Sequence, residues 1–148
     1  MATSPPPVVP EPPEGSNRLQ KQAWNYWHEL PPKARESRIA DAKSAQWMSD
    51  KHRKGHVGTH PELSKGDDDR YARISRDILN RPEKIFVGFS DKGFDLLAAD
   101  RTDTADWRVS VVNLDIRLKS GVPKMSTCYG PKIDKPITWE KKFSTWVI

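Results

Sequence analysis

The stretch that decides the fold is "KIFVGFSDKGFDLLAAD", Lys84–Asp100. Two apolar runs, "KIFVGF" and "FDLLAAD", flank "SDKG" (Ser90–Gly93), a good hairpin turn. Antiparallel sheet is therefore expected here. Downstream, "DWRVSVVNLDIRL" (Asp106–Leu118) alternates Val109, Val111 and Asn113 against Val112, Leu114, Ile116 and Leu118, the period of a long strand. "SGVPK" then turns the chain into "MSTCYG" (Met125–Gly130), and "KFSTWVI" (Lys142–Ile148) can close the sheet.

Upstream the period changes. Leu19, Ala23, Tyr26, Trp27 and Leu30 fall near helical spacing until Pro31–Pro32 stops them. A second helix is expected over Lys33–Met48, with Ile39, Ala42, Ala45 and Met48 on one side. A third begins at Asp67 or Asp68, either of which can cap it, and presents Tyr71, Ile74, Ile78 and Leu79 before Asn80 and Pro82 end it. The acidic triplet Asp67–Asp69 would stand at the positive end of that helix. Trp24, Trp27 and Trp47 read as core aromatics rather than base-stacking ones. Helices first and strands after make an α+β domain, with N-terminal helices packed on a C-terminal antiparallel meander.

The chain of 148 residues suits one domain, 17–148, made of a helical part (17–50) and a core (51–148). Residues 1–16 form a proline-rich tail without periodicity, expected to be disordered. No apolar run approaches the ~20 residues that span a bilayer, and no charged-then-apolar start marks a secretory signal. The single cysteine, Cys128, excludes an internal disulfide and a cysteine-rich zinc site. These features point to action in a cytoplasm. Net charge is +5, with ten basic and five acidic residues from Arg18 to Lys65 and six and two from Lys119 to Lys142. Two basic blocks flanking a nearly neutral centre would form a cationic groove if they met, which favours a polyanionic partner.

Chemistry concentrates in "KHRKGHVGTHPEL", Lys51–Leu63, where His52, His56 and His60 recur every four residues among Lys51, Arg53 and Lys54. On a helix the three would share one face and could bind zinc. Gly55, Gly58 and Pro61 argue against that helix, the adjacent cations would repel a divalent ion, and no metal is expected. A solvated basic loop is the plain alternative. The sharper one is acid–base chemistry, because imidazoles titrate near ~6.5 and a pair supplies one base and one acid. Cleavage of RNA by its own 2′-hydroxyl needs that pair, plus cations such as Lys51, Arg53 and Lys54 to hold the phosphate.

The order "HVGTHPEL", the helix "RYARISRDILNRPEKI", a meander and the late "MSTCY" resembles the barnase–EndoU–colicin–RelE (BECR) group of ribonucleases. In particular it is similar to the small toxin domains that end phage-head and bacterial polymorphic toxin proteins. His60–Pro61–Glu62, Leu79–Asn80–Arg81–Pro82, Ile85 and Thr127–Cys128–Tyr129 carry the likeness, with Arg81 an extra residue between Asn80 and Pro82. The resemblance implies a metal-independent RNA endonuclease without cofactor, acting by 2′-hydroxyl transesterification on RNA, tRNA in the first instance. It makes His56 and His60 the acid–base pair and gives Thr127 and Tyr129 to the scissile phosphate or to orienting a histidine. Ser126 could replace Thr127 if the register differs by one, and Arg70 or Arg73 would ground the phosphate. Cys128 falls on the opposite face as a small core residue. An immunity or antitoxin protein, action in the cytoplasm of a target cell, and delivery by a secretion system or phage are implied in the same way. Two rivals stand beside this expectation: a non-catalytic nucleic-acid-binding accessory protein, and a protein-interaction effector.

Overall fold

Asn17 opens the first helix, α1 (Arg18–Glu29), through a reciprocal cap in which its side chain accepts from the Gln20 N–H and the Gln20 side chain accepts from the Asn17 N–H. This computed structural model describes residues 9–101, 107–130 and 144–147. Of the proline-rich tail, residues 1–8 lie outside the described ones, and the Pro10 carbonyl accepts from the Trp24 indole at 2.7 Å. Ala23 and Trp27 turn into the core, and Pro32 starts α2 (Pro32–Lys43) at a position where its missing N–H costs nothing. α2 ends five residues before the expected Met48. The Ser44 hydroxyl bonds back to the Asp41 carbonyl, and the Arg76 guanidinium takes the carbonyls of Lys43 and Ala45. Three further helices follow: α3 (Asp50–Thr59), the single turn α4 (Pro61–Ser64) and α5 (Asp68–Asn80). Asp67 caps α5 by accepting from the Arg70 N–H. No described helix is long and apolar enough to cross a membrane.

The sheet is antiparallel, ordered β4-β3-β2-β1-β5, with β1 Lys84–Ser90, β2 Gly93–Arg101, β3 Trp107–Arg117, β4 Pro123–Tyr129 and β5 Ser144–Trp146. β1 to β4 are the meander expected from the sequence, and β5 joins its β1 edge. Gly93 turns the first hairpin with φ +120°, and a Cβ there would lie 2.3 Å from Asp115 Oδ2, the atom that accepts the Phe94 N–H. The main core lies between helices and sheet, where Trp27, Tyr71, Ile78, Phe94, Leu96, Val112, Leu114 and Met125 are buried together. Phe86, Leu97, Ala99, Val109 and Val111 form a second cluster on the other face, with Tyr129 packed against it.

The β3–β4 pairing slips where the site lies. Val111 faces Thr127 and Val112 faces Met125, so Ser126 is an extra residue on β4. The bulge lets Met125 and Cys128, three residues apart, both reach the main core at 1% and 0% exposure. Beside it, the Gln46 backbone lies parallel to β4: its N–H donates to Pro123 O at 3.1 Å and its carbonyl accepts from Met125 N–H at 2.9 Å. The chain after α2 is thereby pinned to the edge of β4, and Trp47 and α3 follow beside Thr127.

Candidate functional site

The histidine stretch is helical, and the expectation of a loop is corrected. Ser49 caps α3 by accepting from the His52 N–H at 3.1 Å, and Asp50 adds a carboxylate to the first turn. Val57 buries itself in the core, and Arg53 grips both oxygens of Asp68 at 2.7 Å while also reaching Asp50 at 3.0 Å. Those tertiary ties offset the weak helix propensity of Gly55 and Gly58, whose absent side chains face open space. Pro61 falls just beyond His60, the C-cap residue, and so ends α3 without breaking it.

One face of α3 thus carries all three imidazoles. His56 uses both of its ring nitrogens: Nε2 meets His52 Nε2 at 3.2 Å and Nδ1 meets Thr127 Oγ1 at 3.1 Å. The same hydroxyl lies 3.3 Å from His60 Nε2. The His56 and His60 rings are parallel within 3°, with centroids 6.2 Å apart. Trp47 packs against His52, His56 and Tyr71 at 5.4–5.7 Å, and Tyr129 lies 6.1 Å from His60. Tyr71 in turn ties α5 to β4, its hydroxyl donating to Cys128 O at 2.6 Å and accepting from Cys128 N–H at 3.1 Å. One threonine oxygen lies between two imidazoles.

Burial, ahead of the neighbouring His52, His60 and Lys124, pushes the His56 pKa below the usual imidazole range. Burial, then Lys124 and Lys92, does the same to His52. Lys124, at the described start of the second basic block, acts on histidines of the first. Among the described residues, no three His, Cys, Asp or Glu side chains are grouped so as to hold a metal ion.

The other candidates divide. Lys51 and Lys54 are exposed on α3, and Arg70 and Arg73 are exposed on α5. Arg53 is committed to Asp68 and Asp50 as a tie between α3 and α5, which leaves its fork in use. Ser126 is half-buried at the bulge. Cys128 is buried beside Ser110, whose hydroxyl is 3.4 Å from its sulfur. His28 is remote, its Nδ1 donating to the Trp24 carbonyl at 2.9 Å. The sequence does not single out three residues of this site: His52 as a partner of His56, Trp47 packed against both, and Lys124 as a cation acting on them. The four-residue spacing was a signal for the first; only the Gln46–β4 pairing brings in the other two. No protein-family model matches the chain, and no significant match exists among curated proteins or solved structures.

Proposed function

We propose that the chain is a metal-independent RNA endonuclease in which His56 and His60 work as an acid–base pair. The observation that carries this reading is the Thr127 hydroxyl held by both imidazoles, at 3.1 and 3.3 Å, beside Tyr129 and near Lys124. Internal transesterification requires one proton-transfer group at the 2′-oxygen and another at the 5′-oxygen, and two imidazoles on either side of one position can supply both. One imidazole takes the 2′ proton as the 2′-oxygen bonds to phosphorus. The other, as imidazolium, gives a proton to the 5′-oxygen as that P–O bond breaks. Lys124, Lys51 and Lys54 would neutralise the phosphoryl oxygens, and Thr127 and Tyr129 would orient them. The resemblance to BECR-type toxin ribonucleases supports the same reading and extends it to tRNA as substrate, to an immunity protein covering the cationic surface, and to action inside a target cell after delivery by a secretion system or phage.

The test uses tRNA and mRNA fragments with excess EDTA, the parent protein and a folded His56→Ala, His60→Ala double variant. The parent should cut and the double variant should not. Equal cutting by both would sink the acid–base reading. RNA that stays intact while bound would favour a non-catalytic binding protein.

A further inference from the structure

His52 buries its Nδ1 with no hydrogen-bond partner while its Nε2 faces His56 Nε2 at 3.2 Å. Two ring nitrogens in that arrangement hold one proton between them, since two lone pairs or two N–H groups would repel. The proton can sit on either side. If it belongs to His56, a neutral His52 must carry its own proton on Nδ1, a buried N–H with nothing to accept it. If it belongs to His52, Nδ1 keeps only a lone pair. Buried N–H groups without an acceptor are the rarer orphan in folded proteins. Lys124 and Lys92 add positive potential at His52, which also disfavours a further proton there. Trp47, its ring centroid 5.6 Å away, offers that nitrogen no hydrogen-bond acceptor.

We propose that His52 is a positioning residue: it donates its Nε2 proton to His56 and so fixes the direction of the hydrogen-bonded chain His52–His56–Thr127–His60. The rest follows by counting protons. Neutral His56, accepting at Nε2, carries its hydrogen on Nδ1 and donates it to Thr127 Oγ1. Thr127 has one hydroxyl proton left to give, and His60 Nε2 receives it. The resting site therefore has a donor nitrogen on His56 and an acceptor nitrogen on His60, either side of one oxygen. For its use this rests on the ribonuclease reading: a substrate hydroxyl hydrogen-bonded to His60 Nε2 would lose its proton there, which makes His60 the base of the first step. The proton arrangement itself belongs to the folded chain, with or without RNA.

Nitrogen-15 NMR of histidine-labelled protein at pH 8 tests it. The parent should show His56 protonated on Nδ1 and bare on Nε2, with His52 protonated on Nε2. His52→Gln retains an amide donor and should retain that His56 tautomer. His52→Ala should release His56 toward its Nε2–H form. In RNA cleavage, His52→Ala should lower kcat about 10-fold with KM unchanged, and His52→Gln should recover most of the loss. His56 protonated on Nε2 in the parent, or a tautomer unaltered in folded His52→Ala, overturns the proposal. If no variant and no parent protein cuts RNA, the spectra still decide the positioning role, and only the ribonuclease reading falls.

Discussion

At the scale of single residues, the proposed chemistry rests on one hydroxyl and two imidazoles. His56→Ala or His60→Ala should each lower RNA cleavage at least ~100-fold, the usual worth of a general acid or base. Thr127→Ser keeps the bridging oxygen and should keep most activity, whereas Thr127→Val should approach the histidine variants. Equal rates for Ser and Val would show the oxygen to be idle. A second residue tests burial rather than chemistry. Asp95, on β2, is 9% exposed with an unpartnered Oδ1, and its pKa is pushed up to about 6. Burial is the main cause; Asp115 and Asp91 reinforce it, and a bond from Ser90 opposes it. A carboxyl whose folded pKa is raised contributes most below its ordinary range near 3.8, and that contribution is lost as pH rises through about 6. Asp95→Asn should therefore raise the thermal midpoint at pH 8, with the gain shrinking toward pH 4. No gain at pH 8 would mean that the charge is well solvated. Much at this scale was legible: His56, His60, Thr127 and Tyr129 are named by spacing and resemblance, and the structure gathers them. The partnership of His52 with His56 had only its four-residue spacing for a signal, which brings the rings together on a helix but not on the loop expected there.

At the scale of elements, that helix is what the sequence hid. Gly55 and Gly58 lower the helix propensity of α3, and the forces that override them come from elsewhere: Asp68 on α5, the core beneath Val57, and β4 through Gln46. None is local, so no local pattern announces them. β4 hides a second device, the extra Ser126, since a bulge leaves no mark in a seven-residue strand until its partner is known. The strands of the meander, by contrast, were legible from their period and the "SDKG" turn alone. Gly55→Ala should stabilise the protein by about 1 kcal/mol, because the added methyl meets nothing and the helix gains propensity. A loss of similar size on chemical denaturation would argue that the segment is not helical. Arg53→Ala should cost stability, about 1 kcal/mol for a half-buried bidentate pair, and at equal folded fraction should affect RNA affinity less than Lys54→Ala. The reverse order would return Arg53 to phosphate binding.

At the scale of the whole molecule, the five helices and five-stranded sheet of the described residues bring Lys124, on β4, beside the histidines of α3. The charge pattern left open whether the two blocks meet, and Lys124 of the second acts on His52 and His56 of the first. RNA affinity should fall as salt rises, with each lost lysine contact lowering the slope by roughly one. A binding protein would behave alike, so affinity cannot separate it from an enzyme. Product chemistry can. The most direct measurement is the 3′ end left on tRNA after incubation with the folded protein in excess EDTA, alongside the same RNA carrying 2′-deoxy at the cut. Acid–base transesterification by His56 and His60 predicts a 2′,3′-cyclic phosphate from the first and no cleavage of the second. A 3′-hydroxyl product, cleavage of the deoxy substrate, or a strict need for Mg²⁺ would contradict it.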